Sequence, residues 1–93
     1  MKIVIYIRLK TVKVERKGFS YTLRKRSDVK QVKEKIKNIV KKYFGINNQF
    51  ITMYARVFYD NKTETDMIGR LTNIEDVDKA IEQLEPYTSM LRE

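Results

Sequence analysis

The stretch FSYTLRKRSDVKQVKEKIKNIVKKY, residues 19–43, changes its hydrophobic period part-way along. Phe19, Tyr21 and Leu23 alternate, as in a strand with one buried face. From Ser27 onward Val29, Val32, Ile36, Ile39, Val40 and Tyr43 recur at the spacing of an amphipathic helix. Ser27 is a capping residue, and Asp28 with Gln31 has capping-box spacing. Gly45 follows the last apolar residue, where a helix commonly ends in a left-handed turn. The segment therefore reads as a strand Phe19–Arg26 running directly into a helix.

Working outward, Lys2–Val14 reads as a strand, with Ile3, Ile5, Ile7 and Leu9 on one face. Val12 and Val14 fall out of that phase, which predicts a bulge or break near Lys10-Thr11. Arg16-Lys17-Gly18 supplies a turn. The second half repeats the plan: a strand Phe50–Tyr59, a turn at Asp60-Asn61-Lys62, and a weaker strand Thr63–Leu71. A helix then opens on a Thr72–Glu75 capping box and places Ile74, Val77, Ile81 and Leu84 on one face. Pro86 ends or kinks it, leaving a tail long enough for one more turn. A shift of 45 residues superimposes the two helix patterns, and a shift of 46 the first and third strands. The expected fold is α+β: a two-layer sandwich in the order ββαββα, with a four-stranded, mainly antiparallel sheet and two helices on one face. Ninety-three residues make one domain, with two ββα units at 1–46 and 47–93 as its natural subdivision. This order departs from the βαββαβ of ferredoxin-like binders, and no RNP-type aromatic signature is present.

Charge follows the same division. Residues 1–46 hold 15 Lys and Arg against 3 acidic residues; residues 47–93 hold 5 against 9. The whole chain carries +8, which points to a polyanionic partner. On the first helix Lys30, Lys33, Lys37 and Lys41 form one stripe; Glu75, Asp78 and Glu82 occupy the matching face of the second. The stripes are open to three readings: two solvated faces, helices paired side by side, or a lysine face on phosphates. In the first hairpin Arg24, Lys25 and Arg26 run into a helix start, where Arg side chains and helix N–H groups can clamp a phosphate. The competing reading is protection of a sheet edge by charge.

The third strand is apolar on both sides. Ile51, Met53, Ala55, Val57 and Tyr59 suit the face under the helices; Phe50, Tyr54 and Phe58 share the other, with Thr52 and Arg56 between them, joined there by Val4, Tyr6 and Arg8 of the first strand. A water-facing apolar patch marks an interaction site. It can stack unpaired bases, pack against a second copy, or be covered by the chain's own loops or tail. The acidic excess of the second half favours the second copy.

Much chemistry is excluded. The chain has no Cys and no His, which removes thiolate chemistry, the usual general base and the commonest metal ligand. It also removes histidine-dependent replication endonucleases. Asp60, Glu64 and Asp66 cluster at the second turn, where carboxylates hold Mg²⁺ in some proteins but more often simply form turns. No nucleophile stands beside a base. No apolar run reaches a membrane span and no signal peptide is visible, so the expectation is a cytoplasmic chain without membrane contact. Abundant Lys and Ile with no Cys fit a thermophile or an AT-rich genome.

The sequence thus leads to a non-enzymatic homodimer without cofactor, metal or small-molecule substrate. It would bind DNA or RNA without sequence preference through Arg8, Lys10, Arg24, Lys25, Arg26, Lys30, Lys33 and Lys37. The alternative is a homodimeric interaction module using Tyr6, Phe50, Tyr54 and Phe58, with its charged helices as complementary surfaces.

Overall fold

The structure is a computed structural model describing residues 1–10, 16–43 and 50–93, with main chain only for Arg16 and Phe50. Its elements are β1 (Lys2–Lys10), β2 (Arg16–Leu23), α1 (Arg26–Tyr43), β3 (Phe50–Phe58), β4 (Thr63–Arg70), α2 (Ile74–Gln83) and a short α3 (Glu85–Thr88). The sheet is fully antiparallel in the order β2-β1-β3-β4. The expected α+β layout is therefore present, with the tail supplying the third helix. The predicted break near Lys10-Thr11 and the Gly45 helix end lie outside the described residues. Gly18 is not in a turn but within β2, opposite Arg8.

The strands form where side chains alternate. Ile3, Ile5, Ile7 and Leu9 of β1 lie opposite Val57, Ala55, Met53 and Ile51 of β3, and all eight are buried. Above them α1 contributes Val32, Ile36, Ile39 and Val40, and α2 contributes Val77, Ala80 and Ile81. Leu23, Leu71, Leu84 and Leu91 close the ends of this core. The burial is one-sided, so the other sheet face stays open. Among the described residues, no helix is long and apolar enough to cross a membrane.

Neither long helix starts from the expected cap: α2 is capped one residue later, at Asn73, and α1 already begins at Arg26, ahead of Ser27. In α2 the cap is Asn73: its side chain accepts from the Asp76 N–H (2.9 Å), while the Asp76 carboxylate accepts from the N–H groups of Thr72 (2.7 Å) and Asn73 (3.3 Å). Before α1 the Asp28 carboxylate accepts from the N–H groups of Arg24 (2.9 Å) and Lys25 (3.0 Å). A carboxylate reaching back to two main-chain donors complements the positive helix end. In α2 Asn73 thus takes the part expected of Thr72 and Asp76 that of Glu75, and at α1 Asp28 takes the part expected of Gln31.

These caps also reset the correspondence between the halves. Asp76 follows Asp28 by 48 residues, and the same shift takes Leu23 to Leu71, Val32 to Ala80 and Ile36 to Leu84, all buried. The shifts of 45 and 46 read from sequence each miss by about one period of their own element: three residues on a helix, two on a strand. Hydrophobic pattern alone is nearly blind to such slips.

Truncating Ile36, which is fully buried beneath α1, to Ala should cost about 2–5 kcal/mol. Asn73→Ala should cost about 1 kcal/mol through the lost cap. Urea denaturation of both variants at unchanged m-value checks the order.

Candidate functional site

The open sheet face is built by alternation. Because Tyr6 lies opposite Tyr54, the even-numbered residues of β1 and β3 all point away from the helices. At the centre the two rings stack, with centroids 4.8 Å apart and planes 13° from parallel. The Arg8 guanidinium lies over the Tyr54 ring at 5.2 Å and donates to its hydroxyl at 3.4 Å. The Arg56 guanidinium lies over the Tyr6 ring at 5.7 Å. The result is a four-membered column, Arg56–Tyr6–Tyr54–Arg8, lying across the two central strands. It obeys the 48-residue correspondence, which takes Tyr6 to Tyr54 and Arg8 to Arg56. Lys2 covers the Phe58 ring at 5.2 Å farther along the same face.

Charge on this face has one sign. Lys2, Arg8 and Lys10 come from β1, Arg56 from β3, and Arg70 from β4, where it pairs with Thr52. The remaining described residues are Val4, Gly18, Ser20, Thr22, Thr52, Tyr54, Phe58, Thr63, Thr65 and Met67, with Tyr6. No described residue of the open face is acidic. Glu64 and Asp66 of β4 lie opposite Val57 and Ala55, on the helix side. The acidic excess of the second half, which made base stacking look unfavourable, therefore sits on α2, α3, the second turn, the helix side of β4 and Glu93. The side chain of Phe50 lies outside the described residues.

The other basic residues are dispersed. At the β2–α1 corner the helix-start donors are already taken: Arg24 and Lys25 N–H by Asp28, and Arg26 N–H by the Arg92 carbonyl at 2.8 Å. The Arg26 side chain donates to the Leu91 carbonyl (2.9 Å) and pairs with Glu93 (3.3 Å). The main-chain N–H groups of Arg24, Lys25 and Arg26 are thus bonded within the chain, while the side chains of Arg24 and Lys25 stay exposed. Arg24 borders an open groove of about 320 Å³ with Met1, Met90, Leu91 and Arg92.

On α1 the stripe divides. Lys33 and Lys37 reach Asp78 of α2 at 3.1 and 3.0 Å, so here the paired-helix reading describes the geometry. Those two ammonium groups, Lys37 first, hold the Asp78 carboxyl below the usual carboxylate range. Lys30 is exposed and makes no ion pair with Glu75. On the β2 flank Lys17 hydrogen-bonds the Tyr43 hydroxyl at 3.0 Å, which lowers its pKa, and Lys35 lies over Tyr21 at 5.9 Å.

Asp60, Glu64 and Asp66 do not converge; Glu64 takes a hydrogen bond from Tyr87 (3.3 Å) and pairs with Lys62 (3.4 Å). Among the described residues no cluster of acidic side chains is placed to hold a metal ion.

Parity in the sequence puts Arg8 and Arg56 on this face with Tyr6, Tyr54 and Phe58, but Lys2, Lys10 and Arg70 were not counted with them, nor was the repeat that links the two arginines. The signal was present: Tyr6-Ile7-Arg8 recurs as Tyr54-Ala55-Arg56, and parity puts each Arg beside its Tyr. No family model matches the chain, and no curated protein or solved structure matches it.

The carboxyls of Asp28, Asp76 and Asp78 all titrate below their ordinary value: Asp28 through main-chain N–H donors, Asp76 through the Thr72 hydroxyl and main-chain N–H groups, Asp78 through lysines. A carboxyl with a depressed folded pKa contributes stability that is complete above its unfolded pKa and is lost as pH falls through the folded one. Stability should therefore decline from the ordinary carboxylate range downward. The Asp28→Asn/Asp76→Asn variant, followed by urea melts over that range, should show a shallower decline; an unchanged pH profile would contradict the assignment.

Proposed function

We propose that the chain is a non-enzymatic binder of single-stranded nucleic acid, DNA or RNA, with little sequence preference. What carries this reading is the open face: an aromatic column between two guanidinium groups, on a surface whose described residues include no acid.

Cations next to aromatic rings suit a ligand that alternates phosphate and base. Each arginine rests on its tyrosine in a cation–π contact worth about 0.5–1 kcal/mol at an exposed site. A base stacked on an aromatic ring is worth about 1–3 kcal/mol, and a guanidinium on a phosphate makes a charge-assisted bidentate contact. Exchange is therefore favourable: Arg8 and Arg56 move to phosphates, and the ring faces of Tyr54 and Tyr6 accept bases. Lys2 and Lys10 extend the phosphate path along β1, eight residues apart and so about 26 Å at strand rise. A duplex would leave the aromatics unused, because its bases are already stacked.

The sheet-face homodimer is the weaker reading on charge. Packing two such faces together would desolvate Lys2, Arg8, Lys10 and Arg56 of both copies with no carboxylate among the described residues between them. The helix lysines are also weaker candidates for contacts, since Lys33 and Lys37 already share Asp78.

Binding of a dye-labelled oligothymidine, read by anisotropy over a salt series, tests the reading. Four phosphate contacts predict a log–log salt slope of about −3, and Arg8→Gln/Arg56→Gln should halve it. Tyr6→Ala and Tyr54→Ala should each weaken binding roughly 10-fold while keeping the slope, because they remove stacking and not charge. Lys30→Ala should change little. No binding at low salt, or a slope indifferent to Arg8 and Arg56, would sink the proposal.

A further inference from the structure

The two edges of the sheet differ in charge. The first edge strand, β2, reads RKGFSYTL and carries no acid; Lys17 and Lys35 lie against its helix side. The other edge strand, β4, reads TETDMIGR and turns Glu64 and Asp66 to its helix side. Among the described residues, no strand pairs with the outer edge of either. Main-chain donors and acceptors on such edges are templates for a further strand.

Direction matters as much as charge. All three pairings are antiparallel, so β2 and β3 run one way and β1 and β4 the other. A second copy displaced along the sheet brings its β2 beside the first copy's β4 in the antiparallel sense, with all helices on one side. Pairing β2 with β2, or β4 with β4, would also be antiparallel but would set like charges together.

We propose that copies of this chain join head to tail, β4 of one pairing with β2 of the next. The register that sets 63, 65 and 67 against 22, 20 and 18 fits both faces. On the open side it matches Thr63 with Thr22 and Thr65 with Ser20, and lays Met67, 68% exposed, over Gly18. A Cβ at Gly18 would meet only the Ile7 carbonyl oxygen at 3.9 Å, so nothing described inside the chain calls for glycine there. On the helix side it brings Glu64 opposite Tyr21, beneath Lys35, and Asp66 opposite Phe19, beside Lys17. Glu64 keeps Lys62 at 3.4 Å, but that pair is solvent-exposed on both partners and weakly held. The ion pairs choose the partner edge and register; strand hydrogen bonds and Met67 supply the affinity. This assembly does not depend on the proposed ligand, though it would run the acid-free faces of successive copies into one track.

The absence of cysteine makes the test clean. Ser20 and Thr65 are exposed and three strand spacings apart within one chain, about 14 Å, too far for an internal disulfide. Oxidising Ser20→Cys/Thr65→Cys at low salt, without nucleic acid, should give a ladder of covalent oligomers that shortens as salt rises. An equimolar mixture of the two single variants should give dimers, and each single variant alone should stay monomeric. Thr22→Cys/Thr63→Cys should behave in the same way. Cross-linking by either single variant alone, or no ladder from both double variants with folded circular-dichroism spectra, would overturn the proposal.

Discussion

The antiparallel register of β1 against β3, with Tyr6 opposite Tyr54, is the constraint on which the rest of the structure depends. It sets Ile3, Ile5, Ile7 and Leu9 against Val57, Ala55, Met53 and Ile51 under the helices. A slip of one residue would turn that apolar set to water and bury Arg8 and Arg56. A slip of two would keep the faces but place Tyr6 against Thr52 or Arg56, and the stacked column would be lost. The core selects the face; the column requires this one register on it.

The same register separates charges that are close in sequence. Tyr54, Arg56 and Phe58 open onto the free face while Val57 and Ala55 go beneath the helices, carrying their β4 neighbours Glu64 and Asp66 with them. The acidic half of the chain thereby contributes Arg56 and Arg70 but no described carboxylate to the open face. Asp76 and its counterpart Asp28 hold helix starts, and Asp78 joins α2 to Lys33 and Lys37 of α1. Net charge summed by halves is thus a poor guide to the field on any surface, because a sheet sorts residues by parity and a helix by angle.

Element types and order were legible because Phe19–Leu23, Val29–Tyr43, Phe50–Phe58 and Ile74–Leu84 carry strong periodicities bounded by caps and turns. The open face was partly legible: Tyr6 and Arg8 share parity within one strand, and Tyr54, Arg56 and Phe58 within another. The surroundings of Arg26 were not legible, since Leu91, Arg92 and Glu93 return from the far end of the chain to bond it. No local pattern signals a contact across 65 residues.

By itself, the sequence determined the α+β class, the ββαββα order, the buried faces and the absence of thiol and imidazole chemistry. Each follows from composition or from spacing within one element, where covalent geometry ties position to direction. Only the tertiary structure decided the strand order, the 48-residue correspondence, the one-signed open face and which lysines are matched by acid. Those depend on which strands pair and in what register, a choice made by burial of the whole apolar set at once. The Tyr6-Ile7-Arg8 and Tyr54-Ala55-Arg56 segments show the division: each reads alone as half a strand, and pairing them across the sheet makes the column.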